Sequence, residues 1–137
     1  MIVSRSLSLD GFPRTMDQVL EFERTIGRPR FVLYFSCPFE TLERRLLERG
    51  RDSGRKDDNL DTIRLRFQTF EAESIHAIHY YESKSMLVTI SSTPPVDQVF
   101  NVAQKYFLRL PFEGERIIFV MGCAGSGKGK FCHYSYL

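Results

Sequence analysis

Residues 117–121 form the run Ile117-Ile118-Phe119-Val120-Met121, and the chain passes from it directly into Gly122-Cys123-Ala124-Gly125-Ser126-Gly127-Lys128-Gly129. A continuous β-prone run of this length is the pattern of a strand buried on both faces, as in a parallel sheet. The glycines that follow satisfy GxxxxGK from Gly122 to Lys128. Such glycines let backbone N–H groups turn inward around phosphate oxygens, and the lysine reaches the β and γ phosphates of a nucleotide. The spacing therefore predicts a phosphate site built from Gly122, Gly125, Ser126, Gly127, Lys128, Gly129 and Lys130, completed by the N-terminus of a following helix. Gly129 stands where Ser or Thr usually follows the lysine, and Lys130 comes one residue later. A chance glycine-rich loop is the alternative, and the strand directly before the loop favours the phosphate reading.

The rest of the chain repeats the alternation of strand and helix. Phe31-Val32-Leu33-Tyr34-Phe35 is a second buried-type strand, and residues 86–90 are a third. A strand-like run at residues 6–9 is ended by Gly11 and Pro13. Helical patterns occupy residues 16–25, stopped by Gly27 and Pro29, and a segment after Ser36 or Cys37. In that segment Pro38 falls in the first turn, Leu42 and Leu46 face inward and Gly50 suits the stop. Residues 61–83 predict a long helix with Ile63, Phe67, Phe70, Ser74, Ile78 and Tyr81 on one face. Residues 96–107 predict a closing amphipathic helix. Residues 109–116, with Pro111 and Gly114, read as a linker. Alternating strands and helices imply an α/β fold: a three-layer parallel sheet of about four strands with helices on both faces.

Charge and cysteine usage exclude several classes. Nineteen basic residues against 17 acidic ones leave a net charge of +2, so neither a general nucleic-acid binder nor an anionic-membrane binder is indicated. Three cysteines without a CxxC or Cys/His spacing predict reduced thiols and no zinc site. No apolar run reaches the roughly 18 residues of a spanning helix, and the first ten residues are too polar for a secretory signal. A cytoplasmic protein is the expectation.

Basic residues cluster in one stretch. Arg45 and Arg49 lie four apart on one helix face, Arg55 falls in the charged segment that follows, and Arg66 lies on the next helix; Arg14 stands near the start. Converging cations are what a transferring phosphoryl group requires. From spacing alone, a solvated surface salted by Glu40, Glu43, Glu48, Asp52, Asp57 and Asp58 fits the same residues. His76 and His79, three apart on a helix, lack a third ligand and read as surface residues.

Leu9-Asp10-Gly11-Phe12-Pro13-Arg14, Glu21-Phe22-Glu23-Arg24 with Ile26-Gly27 and Pro29, Arg45-Leu46-Leu47-Glu48-Arg49-Gly50, and Ser53-Gly54-Arg55-Lys56-Asp57-Asp58-Asn59 occur in this order. In that order they resemble the adenylate kinase family of nucleoside monophosphate kinases, of the short-lid cytosolic type. The similarity runs from about residue 7 to residue 107, and residues 117–132 resemble the opening strand and phosphate loop of the family. The resemblance implies a P-loop three-layer fold with a short lid at about residues 49–59. It implies that Gly11, Phe12, Pro13 and Arg14 line the monophosphate site, with Arg14 on the acceptor phosphate. Gln18 is implied to face adenine, Arg49 the ATP side, and Arg55 and Arg66 the acceptor and the transferring group. Arg45 supports them, and Asp57 and Asp58 take part in lid closure. Asp10 is implied to order Mg²⁺, bound with ATP, or its water. The expected activity is transfer of the γ phosphate of MgATP to AMP, giving two ADP. The alternatives are a catalytically incomplete nucleotide-binding module of a tandem adenylate kinase, or a UMP/CMP kinase.

Three features depart from the family pattern. The phosphate loop follows the Asp10–Arg14 motif instead of preceding it, so the segment that joins them in the family, the first helix and the monophosphate flap, has no counterpart between them. Lys130 replaces a hydroxyl residue. Ser91-Ser92-Thr93-Pro94-Pro95 replaces the loop near the ATP base, with Pro94 where a glycine is expected. Residues 1–108 therefore read as a kinase core lacking its N-terminal part, and residues 117–137 as either the start of a second kinase repeat or a permuted first strand. The expected partners are ATP and AMP or ADP, with the chain a monomer or part of a tandem-domain protein.

Overall fold

Residues 12–108 and 117–134 are described by the computed structural model. Among the described residues three strands form one parallel sheet: β1 (Phe31–Ser36), β2 (Leu87–Ser91) and β3 (Ile118–Met121), in spatial order β2-β1-β3. Tyr34 is registered with Thr89 on one side and with Met121 on the other. The run at residues 117–121 thus enters the same sheet as β1. The strand expected at residues 6–9, which made the count about four, lies outside the described residues, as do the linker at 109–116 and the segment 135–137.

β1 is central, and its side chains alternate between two cores, as the period-two geometry of a strand requires. On one face Val32 packs with Val19, Ala77, Ile78, Tyr81, Phe119 and Met121; on the other Leu33 and Phe35 pack with Ile90, Ala103 and Phe131. The first core belongs to α1 (Met16–Thr25) and α4 (Ile75–Ser83), and the second to α5 (Val96–Leu108) and α6 (Lys128–Tyr134). Helix, sheet and helix are the three layers that the alternation predicted. Each fully buried side chain of this size contributes about 1.5–3 kcal/mol by leaving water, so the strand carrying Val32, Leu33 and Phe35 anchors both layers.

Local chemistry sets the helix ends. Thr15 caps α1 by accepting the Gln18 N–H at 3.3 Å, while Gln18 Oε1 accepts the Arg14 N–H at 2.7 Å. This is a capping-box arrangement with the return bond displaced by one residue. Asn59 caps α3 (Leu60–Thr69) by accepting the Thr62 N–H at 3.1 Å.

Helix α2 (Phe39–Ser53) departs from expectation at both ends. Pro38 occupies the N-cap position and makes no side-chain cap bond, so neither Ser36 nor Cys37 caps the helix. Gly50 does not stop it: α2 continues to Ser53 and ends at Gly54, whose φ of +66° is the left-handed cap conformation. A Cβ on Gly50 would lie 3.0 Å from both Cβ and the carbonyl oxygen of Asp58. Gly50 is small because the chain at Asp58 crosses over it. Residues 49–53 of the expected lid are therefore helical, and the non-helical part is 54–59.

The long helix expected over 61–83 is present as α3, a π-helical turn (Phe70–Ser74) and α4 in succession. The Ile75 N–H bonds to the Phe70 carbonyl, one residue further back than in an α-helix. His76 and His79 are exposed on α4.

Candidate nucleotide phosphate site

Ligands of open parallel α/β sheets bind outside the carboxyl ends of the strands, and the glycine loop here lies at the carboxyl end of β3, beside that of β1. Gly122, Gly125 and Gly127 have φ of +149°, +82° and +94°. Repeated positive φ curls the backbone so that successive N–H groups face one concavity, the arrangement that cradles an anion. Gly122 is also pressed against its neighbours: a Cβ there would sit 2.6 Å from Ser126 Oγ and 2.8 Å from the Phe35 carbonyl oxygen. On the other side a Cβ on Gly125 would lie 3.0 Å from Leu46 Cγ. The loop is thus clamped between the central strand and α2.

Lys128 lies over this loop. Its ammonium donates to the carbonyl oxygens of Gly122 and Cys123, the latter at 2.8 Å, and lies 3.5 Å from Ser126 Oγ. Ser126 is buried, and its N–H bonds to the Cys123 carbonyl at 3.2 Å. Phe131 fastens α6 by packing on Phe35 and Phe100 at ring distances of 5.3 and 5.9 Å. Gly129 and Lys130 in the first turn are exposed. Burial pushes the Cys123 thiol up from its ordinary pKa, with the Lys128 charge opposing, so this thiol is not a reactive thiolate.

The arginines divide. Arg49 grips Asp58 through both forks, Nε to Oδ2 at 2.6 Å and Nη2 to Oδ1 at 2.7 Å. Arg66 reaches Asp57 at 2.6 Å and Asp58 at 3.4 Å, and Arg55 reaches Asp57 at 3.4 Å. Arg49, Arg55 and Arg66 therefore converge on one pair of carboxylates, and the Asp58 side chain is fully buried beneath them. Arg45 points elsewhere: it donates to the carbonyl oxygens of Ser92 at 2.7 Å and Thr93 at 3.3 Å, tying α2 to the segment after β2. Arg14 is exposed ahead of α1, its N–H held by Gln18 and its carbonyl by the Ser74 hydroxyl at 2.8 Å. Phe12 is partly buried and Pro13 buried beside it. Gly11 and Asp10 lie outside the described residues.

Sequence reasoning missed two of these features. Ser74 was visible only as one position of a buried stripe, and a serine among aromatics was the signal available. The carbonyls that receive Arg45 leave no trace in side-chain identity.

The arginine bonds hold the Asp58 carboxyl below its ordinary 3.8, with Arg49 as the main cause, and Arg66 does the same for Asp57. A depressed carboxylate contributes stability above its unfolded pKa and loses it as pH falls through the folded value. The lid contacts are therefore expected to persist from neutral pH down to about 4 and to be lost below it. Amide exchange at residues 54–59 followed by NMR from pH 6 to pH 2.5 should accelerate beyond its intrinsic pH dependence only in the most acidic samples. Acceleration centred near pH 6 would contradict the pairing.

In P-loop proteins magnesium is held by the loop hydroxyl and an acid at a neighbouring strand end. Here the hydroxyl position is Gly129, β1 ends in Ser36, and the described residues contain no group of three or more His, Cys, Asp or Glu able to hold a metal. The described residues alone therefore supply no such ligand pair, and Asp10 lies outside them.

A parallel sheet whose edge strand runs into a glycine loop, lysine and helix, with an arginine-bearing lid across α2 and α3, defines a P-loop kinase-like α/β fold. An AAA domain model matches residues 3–64. The chain is similar to a uridylate kinase of Saccharomyces cerevisiae, 46% identical over 96 residues that make up 70% of this chain and 47% of the relative. It is similar to adenylate kinase isoenzyme 1 of Cyprinus carpio, 41% identical over 103 residues, 75% of this chain and 53% of the relative. The human adenylate kinase isoenzyme 1 is 40% identical over 98 residues, 72% of this chain and 50% of the relative. These relatives are nucleoside monophosphate kinases, and the similarity to them covers 70–75% of this chain. It spans about half the length of the curated relatives it matches. Among the described residues no helix is long and apolar enough to cross a membrane.

Proposed function

We propose that the chain acts as a nucleoside monophosphate kinase, passing the γ phosphoryl group of MgATP to AMP and giving two ADP. The observation that carries this reading is the parallel registration of β3 beside β1, which sets the glycine loop and Lys128 at the carboxyl end of the strand that leads into arginine-bearing α2. The same pairing supports β3 as this chain's own phosphate-loop strand, in permuted order. An oxygen of the acceptor phosphate attacks the γ phosphorus as the bond to the β-phosphate oxygen breaks, so no enzyme nucleophile is involved. In this reading the loop N–H groups and Lys128 hold the ATP phosphates. Arg49, Arg55 and Arg66 exchange Asp57 and Asp58 for phosphate oxygens, and Arg14 holds the acceptor phosphate. Magnesium enters with ATP, and Asp10 orders its water. The absence of a spanning helix among the described residues is compatible with a cytoplasmic setting, which this reading adopts.

A second acceptor has an observation of its own. The resemblance sets Gln18 against adenine, yet its Oε1 already accepts the Arg14 N–H. A side chain so engaged offers chiefly its N–H₂ donors, which suit the O4 of uracil as well as a ring nitrogen of adenine. UMP or CMP is thus the alternative acceptor, and the relatives include uridylate and adenylate kinases. The test is coupled ADP formation by the 137-residue chain from ATP with AMP, UMP and CMP in parallel. We expect turnover with AMP and a loss of at least about 100-fold in Arg49→Ala, the size usual for a charge-stabilising group. A folded chain that forms no ADP with any acceptor would reduce the reading to nucleotide binding alone.

A further inference from the structure

We infer that Ser74, carried on the π-helical turn, is a positioning residue for Arg14, and this rests on the kinase reading above. A buried hydroxyl is unfavourable unless it is hydrogen-bonded, and Ser74 is 8% exposed. It donates to the carbonyl oxygen of Arg14 at 2.8 Å, across 60 residues of chain. The Arg14 N–H is taken at the same time by Gln18 Oε1 at 2.7 Å. The peptide groups on both sides of Arg14 are thereby fixed, one from α1 and one from the turn. An exposed guanidinium on a fixed backbone has fewer conformations to lose when it grips a phosphate.

The turn itself is the second part of the argument. Regular α-helix would carry the chain from Thr69 to Ile75 at lower cost, because the π bond pattern is uncommon and concentrates at functional sites. Here the Ile75 N–H reaches back to the Phe70 carbonyl. The wider turn changes the angular phase of everything after it relative to Arg66. It also separates Arg66, facing Asp57 and Asp58, from Ser74, facing Arg14, by about 12 Å along one helix axis. One continuous rod thus connects the lid arginine with the backbone of the acceptor arginine. Phe70, at the start of the turn, stacks on Tyr34 of β1 at 6.3 Å, which pins the turn to the central strand.

The test compares wild type, Ser74→Ala, Ser74→Thr and Ser74→Cys in the ADP-forming assay, with acceptor and ATP varied separately and the acceptor also titrated calorimetrically. Ser74→Ala is expected to raise KM and Kd for the acceptor about tenfold, the effect of a misplaced binding group, while KM for ATP stays within twofold. Ser74→Thr, which keeps the hydroxyl, should restore the acceptor values; Ser74→Cys, a weaker donor, should fall between. If Ser74→Ala does not fold, the Thr and Cys variants carry the comparison. A serine that serves only packing would move both KM values together or neither, and either result overturns the inference. A folded wild-type chain that neither turns over nor binds any acceptor removes the kinase reading, and this inference with it. Wild-type turnover with an unbiased Ser74→Ala removes the inference alone.

Discussion

Gly122→Ala is expected to lower the unfolding free energy by about 3 kcal/mol or more, the range reached when a large steric conflict is added to backbone strain. The added Cβ would lie 2.6 Å from Ser126 Oγ and 2.8 Å from the Phe35 carbonyl oxygen. Ser126 has a movable hydroxyl, but it is buried. Phe35 cannot yield, because its backbone belongs to β1, which is bonded on both sides to β2 and β3. The φ of +149° adds strain for any residue with a side chain. Gly127→Ala is the matched control: its φ is +94°, yet nothing lies within 4 Å of the added Cβ. It should cost only the backbone term, about 1–2 kcal/mol. Urea unfolding of the two variants separates the terms. Equal losses would mean that the loop does not approach β1 as closely as described.

The strands and the loop were legible in sequence because both depend on local composition. Phe31-Val32-Leu33-Tyr34-Phe35 has no polar face to offer solvent, and the glycines of residues 122–129 allow the positive φ that a phosphate loop needs. What sequence did not disclose depends on contacts between distant segments. Gly50 had the composition of a helix stop, but its small size answers to Asp58, which would lie 3.0 Å from an added Cβ, and Gly54 makes the stop. The wide turn at Phe70–Ser74 leaves the three-and-four stripe intact in sequence while altering the geometry, so periodicity alone cannot reveal it. Arg45 and Arg49 share a helix face and a charge, yet one meets backbone carbonyls after β2 and the other a buried carboxylate. Spacing placed both arginines correctly on α2 and could not say which partner each would find.

On the proposed kinase reading, the opposite-charge pairs around Asp58 would let one loop serve two states. Arg49, Arg55 and Arg66 have to be neutralised when no phosphate is near, because three guanidinium groups at close range repel. Asp57 and Asp58 perform that neutralisation on the lid itself. Phosphate oxygens suit the same donors in the same fork geometry, so on the proposed kinase reading nucleotide binding is an exchange of partners rather than the creation of a charge site. The exchange also bounds affinity: each arginine gains only the difference between a phosphate and a carboxylate partner.

On the proposed kinase reading Lys128 holds the ATP phosphates, and Lys128→Ala is expected to weaken ATP binding by about 100-fold, the loss of one charge contact of about 2.7 kcal/mol. Its ammonium now bonds to the carbonyls of Gly122 and Cys123, neutral groups that hold it less strongly than a phosphate would. Truncation also releases those carbonyls, and the half-buried loop can hydrate them. The unfolding midpoint should therefore move little beside the shift seen for Gly122→Ala. Lys128→Arg should not restore affinity, because a planar guanidinium does not fit where a compact ammonium sits within the loop. Equilibrium titration with ATP, beside urea unfolding of the same samples, distinguishes the cases. Lost affinity with retained stability identifies Lys128 as the triphosphate contact, whereas unchanged affinity would remove the glycine loop from the ATP site.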